Sequence, residues 1–233
     1  MEKYWFEDLT GEQSWTCLWY DYIICGQCGG IRKAEGRCPV CNCKMPGHQS
    51  IKLKDKYGQE FEIPMNTMMG AEGRYEDYVY LNMLEQEWRR PVSKYDAMPF
   101  MSQDKKPAAK AIIVLVFWTY FETRIERLLA SAMRNLPDSI RQNLFKRYQS
   151  ISTRTNELYK VLFGKANSYF LDLENLGHEN ISKLLQRIQN RRNDFMHGKP
   201  EAIDDVLIED IVKSLKEEHE SWIKVFNLRA LKA

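Results

Sequence analysis

The sequence predicts a mainly α-helical protein, an up-and-down bundle of long helices preceded by a small β module built round cysteines. Three observations predict it. From Pro107 onward, apolar residues recur every three or four positions, and short polar or glycine-marked connections separate the periodic runs. All six cysteines lie between Cys17 and Cys43, among aromatic and β-branched residues and turn glycines. A hydrophobic content of 44% with 28% charged residues belongs to a folded chain, not a disordered one. The 233 residues hold one ordinary domain plus a small module. The expected division is 1–60 for the cysteine module, 61–106 for a connecting segment and linker, and 107–233 for the helical domain.

In the first module, Trp15 to Ile24 reads as a strand and leads into Cys25-Gly26-Gln27-Cys28, then Cys38-Pro39-Val40-Cys41. Two CxxC turns nine residues apart, with glycines free to take positive φ, can present four thiolates tetrahedrally to zinc. The pattern resembles a zinc ribbon, with Cys25, Cys28, Cys38 and Cys41 as ligands. Cys43 can take the place of Cys41, and the spacing leaves that choice open. Cys17 is then a free buried thiol. Four protein ligands leave no open coordination position, so the metal is expected to be structural. No βαβ pattern surrounds either CxxC, which argues against a thioredoxin-type role. Ile51 to Lys54 and Glu60 to Ile63 alternate as short strands of a hairpin that can extend the ribbon. Tyr75 to Arg89 reads as a helix, and Ser93 to Pro107 as the linker.

Pro107 suits the first residue of a long helix running to about Leu136, closed by Pro137. Asp138-Ser139 caps a second helix, read as continuous to Phe163 before Gly164. Asn167 to Leu176 is a short element, and Gly177 to Asn180 opens the next helix, with Ile181, Leu184, Leu185, Ile188, Phe195 and Met196 on its core stripe. Asp204-Asp205 start the last helix, with Val206, Leu207, Ile211, Leu215, Trp222, Val225 and Phe226 facing inward.

The net charge of +2 hides an uneven distribution. Thr123 to Arg192 carries 13 Lys/Arg against 6 Asp/Glu, whereas Lys199 to Ala233 carries 6 against 8. The basic middle fits a polyanionic partner, and equally a solvated helix surface. The first residues lack the basic start and apolar run of a signal peptide. The most apolar stretch, Ala111 to Phe121, is too short to span a bilayer, so no membrane partner is expected. Clustered cysteines with metal-ligand spacing fit a reducing cytoplasm.

One position departs from the helical pattern. A heptad after Leu184 and Leu185, where the stripe calls for apolar residues, stand Arg191 and Arg192. Long cations there are costly unless they are paired, snorkel outward or line a cleft. His197 follows five residues after Arg192, with Gly198 and Pro200 as stop signals. The bland account is that cations at a helix C-terminus suit its dipole. The sharper one is phosphate chemistry.

Arg192-Asn193-Asp194-Phe195-Met196-His197 resembles the RX4–6H motif of HEPN domains, many of which are metal-independent ribonucleases. The resemblance covers about 106–233. It implies a HEPN-like bundle in which His197 is the general base for an RNA 2′-hydroxyl, because an imidazole offers both proton forms near neutral pH. Arg192 would hold the phosphate with its planar fork, and Asn193 would orient the histidine. Glu122 is the candidate acidic residue of the first long helix, or else only a helix-surface charge. Arg191, Lys199 and Arg187 are candidate RNA contacts. The family usually composes its site across a homodimer, and its members include toxins and phage-defence effectors, so an antitoxin or an activator protein is a candidate partner. Members silenced by nucleotide transfer carry a tyrosine two positions after the histidine, where this chain has Lys199. The alternative is a non-catalytic HEPN-like dimer, with a zinc ribbon that binds RNA or protein. His48, His178 and His219 gain no role, and His219 is read on a solvated face among Glu217, Glu218 and Glu220.

Overall fold

The computed structural model describes residues 22–25, 27–33, 36–44, 50–54, 60–64, 80, 83, 84, 86, 87 and 107–230, and it is α-rich. Cys17, His48, residues 15–21 of the expected first strand, most of the expected 75–89 helix and the linker up to Lys106 lie outside the described residues. Tyr80, Met83, Leu84, Gln86 and Glu87 are helical, and Leu84 is buried.

β1 (Tyr22–Ile24) pairs antiparallel with β2 (Ile31–Lys33), Ile24 opposite Ile31. β3 (Ser50–Lys54) and β4 (Glu60–Pro64) form the expected hairpin, Ser50 opposite Pro64. It makes its own sheet and does not extend the first.

α1 (Pro107–Ala132) begins on a residue with no N–H to leave unsatisfied. It buries Phe117, Tyr120, Phe121, Ile125, Leu128 and Leu129, then ends four residues before the expected Leu136 in a turn where the Leu136 N–H donates to the Met133 carbonyl. The single helix expected over 138–163 is broken. α2 (Asp138–Arg147) stops where Tyr148 leaves helical geometry at φ −109°, ψ 71°. The chain restarts because the Ser150 hydroxyl caps α3 (Ile151–Thr153), accepting from the Thr153 N–H at 3.2 Å. A π turn, Arg154–Leu158, leads on to α4 (Tyr159–Phe163). Asp138 is not a cap. Pro137 holds that position, and the Asp138 carboxylate pairs with Arg141.

α5 (Tyr169–Asn175) is capped by Ser168, and Gly177 at φ +80° turns the chain into α6 (Glu179–Met196). α6 buries Ile181, Leu184, Leu185 and Ile188 as its stripe predicts. Met196 is a correction: it is 60% exposed, because the stripe runs out at the helix end. α7 (Asp205–Arg229) is capped by Asp204, whose carboxylate accepts from the Leu207 N–H at 2.8 Å. Val206 is likewise corrected, at 64% exposed beside buried Leu207 and Ile208. α7 packs on α1, α5 and α6, and these contacts enclose the core.

Two buried carboxylates cross-link that core. Glu218, fully buried on α7, takes a 2.7 Å bond from Arg124 of α1, whose guanidinium lies 4.2 Å from the Trp222 ring centroid. Arg124 also reaches His219 Nδ1 at 3.0 Å. The solvated face expected round His219 is therefore a polar core contact. Asp172 of α5 accepts a fork from Arg229 of α7, at 2.6 and 2.5 Å, together with the Tyr159 hydroxyl. Burial, and then Asp172, push the Tyr159 phenol far above its usual range, so it stays a donor.

Among the described residues, the cysteine-bearing β1–β2 module is hydrogen-bonded to the helices through Asn227 and packs Ile31 into their core. The Asn227 amide of α7 donates to the Ile31 carbonyl at 2.6 Å and accepts from the Ile31 N–H at 2.7 Å, completing the edge of β2 as a neighbouring strand would.

Candidate functional site

The end of α6 is built by a Schellman turn. Gly198 takes φ +86°, its N–H donates to the Phe195 carbonyl, and the Lys199 N–H donates to the Asp194 carbonyl at 3.1 Å. His197 is the residue just before that glycine, at φ −93°, ψ 18°, with its ring exposed. The stop signals in the sequence thus place the histidine at a rim.

The cations round it divide by pairing. Lys199 Nζ is 2.8 Å from Asp194 Oδ1, which holds that carboxyl below its usual range and the lysine above its own. Arg187 pairs with Asp210 of α7. Arg191 is exposed and Arg192 half-buried, and among the described residues neither has a carboxylate partner within ion-pair distance. Arg192 Nη1 reaches Asn193 Oδ1 at 3.3 Å, while its Nε is buried with no hydrogen-bond partner among the described residues. Among the described residues no hydrogen bond joins Asn193 to His197. Glu122 is half-buried on α1 and accepts a 2.6 Å bond from the Trp118 indole one turn earlier. No hydrogen bond or ion pair joins it to Arg192 or His197 among the described residues.

The second site is the cysteine cluster. Its two turns repeat one backbone pattern. The Cys25 N–H donates to the Gly30 carbonyl and the Gly29 N–H to the Cys25 carbonyl; the Cys38 N–H donates to the Cys43 carbonyl and the Asn42 N–H to the Cys38 carbonyl. Gly29 and Asn42 occupy matching left-handed positions, at φ +75° and +58°. Cys41 therefore corresponds to Cys28, and Cys43 to Gly30.

The Sγ atoms of Cys25, Cys28, Cys38 and Cys41 lie within 4.8 Å of one another. Cys25–Cys41 is 3.7 Å and Cys28–Cys38 3.6 Å. Sulfurs about 2.3 Å from a tetrahedral zinc stand about 3.8 Å apart, so these four fit that ion. Backbone N–H groups aim at each of the four sulfurs: Cys28 and Gln27 at Cys25, Gly30 at Cys28, Val40 at Cys38, and Cys43 at Cys41. Such donors favour thiolates. Burial pushes the Cys25 thiol up, yet the donors outweigh it and bring it to about 6. Burial first, then Cys41, Cys38 and Cys25, push Cys28 up to about 12. Four thiolates so close repel one another, and a dication relieves the repulsion.

Sequence reasoning missed two residues here. Arg32 is fully buried behind the second turn, donating to the carbonyls of Gly36, Cys43 and Lys33. Its polar type gave no hint of burial. Asn227, on the half-buried side of α7, carried no local signal either.

Comparisons with protein-family models, with curated proteins and with solved structures find no match for this chain.

Proposed function

We propose that the chain is a metal-independent, HEPN-like endoribonuclease of the toxin or phage-defence-effector type, acting as a homodimer beside a structural zinc ribbon. The observation that carries this reading is the pairing pattern at the end of α6. Arg187 and Lys199 are paired with carboxylates, whereas Arg191 and Arg192 have no carboxylate within ion-pair distance among the described residues and share the end of α6 with an exposed His197. An arginine without a carboxylate partner can bind phosphate, and an exposed imidazole can transfer a proton.

In this reading His197 takes the proton from an RNA 2′-hydroxyl. The oxygen attacks the adjacent phosphorus, the 5′-oxygen leaves, and a 2′,3′-cyclic phosphate and a 5′-hydroxyl remain. Arg192 binds the non-bridging oxygens as their charge grows. Residues five apart on an α-helix point about 140° away from each other, which favours pairing the arginine of one copy with the histidine of the other. Exposed Met196 and Val206 supply apolar surface at that end for a second copy. Cys25, Cys28, Cys38 and Cys41 would hold the zinc, which serves folding and takes no part in the reaction.

The second reading, a non-catalytic RNA- or protein-binding dimer, draws on Asn193 and Glu122 being engaged by Arg192 and Trp118. One experiment separates the two. Wild type and His197→Ala are incubated with mixed tRNA and mRNA during brief EDTA treatment, and the zinc content is assayed afterwards. Cleavage to cyclic-phosphate ends by the wild type, falling about 100-fold or more in the variant, is expected. RNA binding by both without cleavage by either would overturn the nuclease reading.

A further inference from the structure

The cluster holds five thiols where a tetrahedral ion takes four. We propose that the fifth, Cys43, is a thiol-modification site, oxidised by hydrogen peroxide or a related hydroperoxide to a disulfide with Cys25 that removes one ligand from the metal. The proposal rests on the reading that Cys25, Cys28, Cys38 and Cys41 hold zinc.

Backbone register sets Cys43 apart. It stands where the matching turn has Gly30, so the metal-binding turn does not need its side chain. Among the described residues no backbone N–H is aimed at its sulfur, in contrast to the other four. Nevertheless its Sγ lies 3.3 Å from Cys25 Sγ, nearer than the 3.7 Å between Cys25 and Cys41. Cys43 is half-buried, so peroxide can reach it. Arg32 fixes its position, donating from Nη1 to the Cys43 carbonyl at 3.2 Å and to its sulfur at 3.8 Å.

The chemistry balances in two steps. The Cys43 sulfur attacks one peroxide oxygen; an S–O bond forms, the O–O bond breaks, and water leaves with the thiol proton, giving a sulfenic acid. The Cys25 sulfur, 3.3 Å away, then attacks the Cys43 sulfur with a lone pair that would otherwise go to the metal. The S–S bond forms and the S–O bond breaks, and the departing hydroxide takes a proton to become water. Two thiols have lost two electrons, and one peroxide has become two waters. Only three of the four thiolates that would hold the ion would remain, so its release would be favoured.

The test uses the zinc-loaded full chain. Wild type, Cys43→Ser and Cys43→Ala are exposed to hydrogen peroxide while a chromogenic chelator reads zinc release, and alkylated peptides are mapped by mass spectrometry. Far-ultraviolet circular dichroism checks that each variant is folded. Cys25–Cys43 should be the main disulfide of the wild type, and a thiol reductant should restore its zinc. Both variants should bind one zinc and release it about tenfold more slowly or slower still. Release at the wild-type rate from Cys43→Ser, a different main disulfide, or a variant that binds no zinc would each overturn the proposal. A wild type without zinc refutes the ligand assignment instead, and the disulfide map then decides the thiol pairing by itself.

Discussion

Asn227 hydrogen-bonds the cysteine module to α7, and its removal has a calculable effect. Asn227→Ala deletes two hydrogen bonds, of 2.7 and 2.6 Å, and leaves the N–H and carbonyl of buried Ile31 facing the gap. Each orphaned group costs about 1–3 kcal/mol, and water entering a half-buried junction keeps the sum toward the lower end, at about 2–3 kcal/mol. For a chain of this size about 1 kcal/mol moves Tm by about 2–4 °C, so the expected fall is about 4–12 °C. The assay is thermal unfolding of the zinc-loaded protein, followed by circular dichroism at the helix band. Asn227→Asp sharpens it. The carboxylate still accepts from the Ile31 N–H but sets an oxygen against the Ile31 carbonyl. It should therefore be no more stable than the alanine variant, although it is nearly isosteric with asparagine. A wild-type Tm for Asn227→Asp would refute the reasoning, since filling the space would then be all that Asn227 does.

Asp172→Asn should cost about 3–5 kcal/mol, because it leaves Arg229 facing an amide in a site where the native carboxylate is 1% exposed. Replacing both partners, Asp172→Leu with Arg229→Met, should cost less than that single change; denaturant titration measures the difference, and a costlier double variant would refute the buried-charge account. Zinc retention should fall as pH drops through about 6, the value to which the Cys25 thiol is drawn, since protons compete with the metal for thiolates. A bound dication holds the thiolates lower still, so the loss should finish near about pH 4 in a chelator titration, and full retention there would refute thiolate ligation.

What could be read in the sequence was what is decided locally. The CxxC turns and the Gly198 stop are built from neighbouring residues, and both stand where the spacing put them. The core stripe of α6 was legible because burial repeats with the helical turn, and it failed at Met196 where the helix ends. The break between α2 and α3 went unseen because the apolar period runs on across it, while the interruption depends on one serine hydroxyl at Ser150.

Pairings between distant segments left no trace of that kind. Arg124 and Glu218 are 94 residues apart, and each looks like a surface charge until the other is beside it. The same holds at the candidate site. The sequence offered Arg192 as the phosphate ligand and Arg187, Arg191 and Lys199 as RNA contacts, but the folded contacts separate Arg187 and Lys199, which pair with carboxylates, from Arg191 and Arg192, which have none within ion-pair distance among the described residues. Choosing between Cys41 and Cys43 was beyond spacing for a related reason, since either fits a ligand turn. The choice follows from superimposing two turns, in which Cys43 falls on a glycine. A residue matched to glycine is free of the turn's own requirements, so its side chain is available for another use. That freedom, 3.3 Å from a ligand sulfur, is why the surplus thiol and not one of the four is the one expected to react first.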